Sequence, residues 1–270
     1  MYKKLSLLFL CLCLCFSYGC GQKTPDNAKL VSAASKEEVM QKDYSMLSNK
    51  MLAWGMKKNK GAAPDVDAES EVLLKNYNGI YKTEEKKTLY LTFDLGYEAG
   101  YTAQILDTLQ KKKVSAAFFI TGDYLKTQPE LVKRMVEEGH NVGNHTMGHP
   151  SMPLVTDNKK LVEDIALLDQ AFFELTGTRM NLFRPPKGEF SERTLAITRD
   201  LGYKTVFWSF AYVDWERDKA RGAEYAYNQI MPYMHDGAIV LLHAVSKDNA
   251  EVLEKVISDL QAQGYTFATL

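Results

Sequence analysis

Past its first twenty residues this chain has no cysteine: Cys11, Cys13, Cys15 and Cys20 are all crowded at the N-terminus. A body without thiols has no disulfide framework and no thiol nucleophile. Positive charge is not in excess either. With 33 Lys and Arg against 34 Asp and Glu, the formal net charge is −1. No basic surplus is available to neutralise phosphates, which excludes a nucleic-acid partner. Internal repeats and low-complexity tracts are absent as well. What remains is an ordinary globular composition, 46 % hydrophobic and 25 % charged over 270 residues. That length supports one substantial core with extensions.

The one long apolar run lies at the start, where Lys3 and Lys4 precede a stretch from Leu7 to Phe16. Residues 1–19 read as an export signal, too short for a membrane-spanning helix. Gly19 ahead of Cys20 resembles a bacterial lipoprotein signal, in which Cys20 becomes the lipidated first residue. Ser17 stands where leucine is preferred in that pattern, so cleavage without a lipid and retention as an anchor are the alternatives. The expected location is the cell surface or the outer face of the cytoplasmic membrane. Contact with that membrane is expected through the N-terminus alone. Loss of the signal removes two lysines and leaves about −3.

Residues 20–50 are polar and rich in small side chains, which suits a flexible tether. Residues 51–85, with Trp54-Gly55, Tyr77 and Tyr81, read as an N-terminal extension packed on a main domain over 86–270. From Lys87 onward short apolar runs recur at Thr88–Phe93, Val114–Ile120, His140–Gly143, Asn181–Phe183, Lys204–Trp208, Ala238–Leu242 and Thr266–Thr269. Helical patterns fall between them. Leu161, Ile165, Leu168, Phe172 and Leu175 lay one apolar stripe down a helix that opens after Asp157 and ends before Gly177. Strands alternating with helices imply parallel pairing through right-handed crossovers. The expected fold is α/β, a distorted (β/α)7 barrel, with an open doubly wound sheet as the alternative.

On that frame the ionisable residues are not scattered. Asp94 follows the first strand, His145 and His149 the third, Arg184 the fourth, Asp214 the fifth and His243 the sixth. All six fall at C-terminal strand ends, the face on which α/β barrels build active sites. The spacing His145-x-x-x-His149 suits a metal, since residues four apart on a helical turn share a face. A solvated polar loop is the bland reading of the same pair. His243 ends a very apolar strand, where it is either a satisfied core histidine or an acid–base group held by a carboxylate. No second carboxylate stands where a glycosidase pair would need one.

The segments Thr92-Phe93-Asp94-Leu95-Gly96, His145-Thr146-Met147-Gly148-His149, Arg184-Pro185-Pro186-Lys187-Gly188, Val213-Asp214-Trp215 and Leu241-Leu242-His243 occur in that order. They resemble the five motifs of the polysaccharide deacetylases (the NodB-like domain, carbohydrate esterase family 4), over about residues 85–270. Gly96 to Thr102, Phe207-Trp208-Ser209 and His243-Ala244-Val245-Ser246 resemble its N-acetylmuramic acid deacetylase branch, which prepares muramic δ-lactam in the spore cortex. The Trp54-Gly55 extension is similar to that branch too. The resemblance implies a hydrolase that removes N-acetyl groups from peptidoglycan glycan strands, on a forespore-facing surface in spore formers.

It implies roles as well. Asp94 is the general base steadied by Arg184, and His243 the general acid held cationic by Asp214. The backbone N–H of Lys187 stabilises the oxyanion, while Trp215 and Phe190 are candidate walls for the sugar ring, with a core role for either as the alternative. His145 and His149 hold a divalent metal, zinc first, with manganese, cobalt or magnesium as alternatives. Leu95 stands where the family commonly has a second aspartate as third metal ligand, and a leucine coordinates nothing. Three readings follow: Asp94 leans across to help, the metal arrives with substrate, or activity is lost. N-acetylglucosamine or chitin-like chains are the alternative substrates, and a silent glycan-binding module is the alternative class. Nothing in the sequence calls for an oligomer, and a monomer is expected.

Overall fold

The computed structural model describes residues 33–216 and 219–270. The expected signal over 1–19, and Cys20, lie outside them. In chain order, α1 (Ala33–Gln41) leads to β1 (Leu52–Ala53), the hairpin β2 (Met56–Asn59) and β3 (Ala62–Val66), α2 (Ala68–Asn76) and β4 (Gly79–Ile80). The chain continues through β5 (Thr88–Leu95), α3 (Thr102–Lys112), β6 (Ala117–Ile120), α4 (Gly122–Thr127), α5 (Pro129–Glu137) and β7 (Asn141–Asn144). Next come α6 (Asn158–Thr176), β8 (Leu182–Phe183), β9 (Glu189–Phe190), α7 (Glu192–Asp200) and β10 (Lys204–Val206). It closes with α8 (Ala223–Ile230), β11 (Ala238–His243), α9 (Lys247–Ala262) and β12 (Thr266–Phe267).

The local signals explain these elements. The Asp157 carboxylate accepts from the backbone N–H groups of Lys159 and Lys160, and Gly177 ends α6 at φ 74°. Leu161, Ile165, Leu168 and Phe172 of its stripe are buried, each stabilising the fold by roughly 1.5–3 kcal/mol. Along β5 the side chains alternate. Leu89, Leu91, Phe93 and Leu95 join the large core beneath the helices, while Tyr90 packs in the barrel interior with Phe119, Val206 and Ile239. Thr92 and Asp94 share the face of Tyr90 by the same alternation.

The main sheet runs β11-β5-β6-β7-β8-β10-β4, with every neighbouring pair parallel. Bridges from Phe210 to Val240 and from Lys82 to Ala238 join its two rims, so the sheet curls into a distorted barrel instead of lying open. The staves differ from expectation in one respect. Thr266–Phe267 pairs only with Thr88–Leu89, at the foot of β5. The place beside β10 is taken by β4, whose Gly79 faces Leu74 of α2 so closely that a Cβ there would lie 2.8 Å from the leucine Cγ. Only glycine lets helix and strand press together at that point.

The described part of the stretch expected as a tether is packed. α1 lies against α6, and Val39 and Tyr44 are buried in the core. Lys42 and Tyr44 both donate to the Asp200 carboxylate. Trp54 is buried among Tyr81, Leu74, Phe190 and Phe207, and its indole N–H donates to the Trp208 carbonyl at 3.0 Å.

Candidate active site

Register places the reacting groups. His243 at the end of β11 is directly opposite Asp94 on the adjacent β5. Arg184 follows β8, its backbone N–H donating to the Asn144 carbonyl at the end of β7. His145 begins one residue beyond. Asp94, His145, His149 and His243 line a cleft of about 1360 Å³ that also takes in Trp208 and Trp215, while Arg184 is buried.

Arg184 is fully buried and has all of its reach used. It donates to Asp94 Oδ1 at 2.7 Å, to Thr92 Oγ1 at 2.9 Å and to the carbonyls of Val206 and Phe207, with its guanidinium over the Phe119 ring. Burial is the strongest influence on Asp94 and pushes its carboxyl up. The combined pull of Arg184, His145 and His243 outweighs it and leaves the carboxyl below its ordinary value. Asp94 is therefore ionised at neutral pH.

His243 has the opposite sense. Burial works against its charged form, but the Asp214 carboxylate overrides burial and raises the imidazole above its ordinary value. Asp214 Oδ1 lies 2.6 Å from His243 Nδ1, and Oδ2 accepts from the His243 backbone N–H at 2.8 Å. Asn249 completes the arrangement by donating to Oδ2 at 2.6 Å. The Tyr212 hydroxyl in turn donates to Asn249.

The histidine pair converges, but not on a helical turn. Thr146 and His149 have left-handed backbones, φ 69° and 54°, and the segment is a tight loop. Its shape comes from outside. Asp164 on α6 accepts from the N–H groups of Met147 and Gly148, and Gly122 donates to the Thr146 and Met147 carbonyls. A Cβ on Gly122 would lie 2.0 Å from Met147 Sδ. The two rings end with centroids 4.8 Å apart.

His145 Nδ1 lies 2.8 Å from the Arg184 carbonyl, which makes Nδ1 the donor and leaves Nε2 a lone pair, 3.7 Å from Asp94 Oδ2. Burial holds His145 down at about 4 and lowers His149 too. Two neutral imidazoles with an oriented lone pair fit a borderline-soft divalent cation. Among the described residues, no three of His, Cys, Asp or Glu gather as a metal-holding group. Leu95 explains part of this. It is wholly buried on the helix side of β5, away from Asp94, and is a core residue, not an empty ligand position.

The other expected positions divide. Trp215 is half exposed on the cleft, its ring 5.3 Å from His243. Lys187 lines the same cleft with a left-handed backbone at φ 60°. Phe190 is not a sugar wall: it pairs with Leu52 and is buried against Phe207, because alternation on β9 turns it inward. Thr92, Asp164, Trp208 and Asn249 escaped the sequence reading. Thr92 was legible as the residue two before Asp94, on its face of the strand, whereas Asp164 and Asn249 depend on how helices dock.

A buried, ionised carboxylate and a cationic histidine facing each other across one cleft, beside two neutral imidazoles, define a hydrolase site. A family model described as Polysaccharide deacetylase matches residues 81–206. The Bacillus subtilis peptidoglycan-N-acetylmuramic acid deacetylase PdaA is 44 % identical over 82 % of this chain and 85 % of its own length. The solved structure of PdaA, described as a family 4 carbohydrate esterase, superposes with a TM-score of 0.80 over 83 % of this chain and 96 % of that one. A Bacillus cereus peptidoglycan-N-acetylglucosamine deacetylase is 36 % identical over 68 % of this chain and 87 % of its own. The chain belongs to the polysaccharide deacetylase family, whose members hydrolyse N-acetyl amide bonds.

Proposed function

We propose that this enzyme removes the acetyl group from N-acetylmuramic acid residues of peptidoglycan. The observation that carries the reading is the register of His243 on Asp94 across β11 and β5, each with its own partner, Asp214 or Arg184. The likeness to PdaA supports muramic acid over glucosamine. His145 and His149 would hold a divalent cation, zinc first or else manganese, cobalt or magnesium, whose chemistry there is to polarise the acetamide carbonyl and acidify a water.

Asp94 takes the proton of the attacking water as the water oxygen adds to the carbonyl carbon, and Arg184 keeps Asp94 ionised and aimed. The backbone N–H of Lys187 faces the developing oxyanion, a contact that typically contributes about 10²–10³ in rate. His243 then protonates the sugar nitrogen as the C–N bond breaks, releasing acetate and a free amine. Trp215 and Trp208 flank the ring. On muramic acid the freed amine lies near the lactyl carboxyl group, and a separate condensation between them, which breaks the carboxyl C–O bond and expels water, gives the δ-lactam of spore cortex. The same reading makes the protein exported and monomeric, with signal 1–19 and lipidation at Cys20. It then faces the wall or the forespore surface, with the membrane reached through the N-terminus.

The test is acetate release from peptide-free strands and from intact peptidoglycan. Chelator-treated enzyme is given each cation in turn and the product sugar is identified by mass. Release at muramic acid, restored by a cation, is expected. Release at glucosamine alone would overturn the substrate, and glycan binding without release would make the protein a silent module.

A further inference from the structure

Lys58 lies on β2, in the hairpin that the extension carries to the cleft wall. Its Nζ donates to the Ala211 carbonyl at 3.3 Å and sits over the rings of Tyr233 and Phe210, 4.9 and 5.3 Å from their centroids. The side chain is half-buried, and burial alone acts on the ammonium, lowering its pKa. No carboxylate among the described residues offsets that burial. The acids sharing the cleft are largely engaged elsewhere: Asp94 by Arg184 and Glu216 by Lys219 at 2.9 Å, with Asp123 remaining exposed. Arg221, also on the cleft, is exposed, donates one guanidinium N–H to the Tyr225 hydroxyl and lies over that ring.

An ammonium has three donors, and a partly desolvated one gains most from an anion. The Phe210–Asp214 segment beneath Lys58 leads straight to the carboxylate that holds His243, so this cation stands on the same wall as the chemistry. Peptidoglycan strands differ from glucosamine polymers in carrying carboxylates, either on the lactyl ether of muramic acid or on the stem peptide. We infer that Lys58 is a specificity-determining residue that binds a carboxylate borne by the glycan. The inference rests on the peptidoglycan reading above.

The experiment compares the full protein with Lys58→Met, Lys58→Gln and Lys58→Arg. Probes are peptide-free muramic strands, the same strands with lactyl carboxylates reduced to alcohols, and strands retaining stem peptides. Calorimetric affinity, KM and kcat are measured separately, with thermal unfolding to confirm the fold, since methionine keeps the buried stem. The expected result is a preference of roughly tenfold or more for carboxylate over reduced strands. It should collapse to about one in Lys58→Met and Lys58→Gln through KM, and return in Lys58→Arg. A preference confined to peptide-free strands assigns the lactyl group, and one confined to peptide-bearing strands assigns the stem. Binding of neither peptide-free nor peptide-bearing strands in preference to the reduced strands by the native protein, or an undiminished preference in both neutral variants, overturns the inference. The mass of the deacetylated sugar reports on the substrate reading independently of that ratio.

Discussion

Replacing Asp214 by asparagine keeps the shape and removes the charge that decides the proton on His243. In the native site three N–H groups point at this carboxylate, two from His243 and one from Asn249. An amide offers only one oxygen. Turned to serve the two donors at Oδ2, it presents its own NH₂ to His243 Nδ1, which must then give up its proton. Charge-assisted hydrogen bonds contribute about 1.5–3 kcal/mol each, and breaking a buried pair costs about 3–5 kcal/mol, so a loss of about 3 kcal/mol is expected.

The pH dependence gives the sharper reading. His243 is raised above its ordinary value, so the pair stabilises fully below the unfolded pKa of about 6.5 and fades as pH climbs through the folded one. The penalty of Asp214→Asn should shrink accordingly toward high pH. In the variant Asp94 alone is left to oppose burial, and His243 titrates lower than in the native site. The alkaline limb of kcat/KM should then move to lower pH. At pH 7.5 the loss should be about 10²–10⁴-fold, the worth of one general acid. Acetate release across pH 5–9, with urea unfolding at the same points, measures both. A variant slowed by one factor at every pH, with its alkaline limb unmoved, would refute the role given to Asp214.

Arg184→Met should destabilise by about 3–5 kcal/mol in denaturant titration. It should also move the acid limb of the rate profile upward, because Asp94 loses the cation that most lowers it; an acid limb at its native place would remove Arg184 from that role. Leu95→Asp should lower Tm through a buried, unpaired carboxylate without tightening cation binding by calorimetry. Tighter binding at an unchanged Tm would return this position to the ligand set.

The catalytic face was legible because strand ends are: each of Asp94, His145, Arg184 and His243 closes or follows an apolar run whose period fixes its direction. What stayed hidden depends on contacts between distant segments. The His145–His149 loop owes its left-handed turns to Asp164 and Gly122, neither of which has a local signature. Phe190 stayed open between sugar wall and core in the sequence because a two-residue strand is too short to show its alternation, and it is the core residue. β4 was missed because Gly79–Ile80 is too short to form a pattern and is chosen by its fit to α2. The packed segment around Val39 and Tyr44 was masked by the small polar residues about it.

The pairing of β11 with β5 also bears on the order of events in folding. β5, β6 and β7 are neighbours in sequence and in the sheet, so they collapse early at low entropic cost. β11 arrives from about 150 residues away along the chain, and loops of that length close late. Asp94 meets His243 only when that strand docks. A chain that has folded halfway holds Asp94 without His243, so under the proposed mechanism it lacks activity until β11 docks on β5.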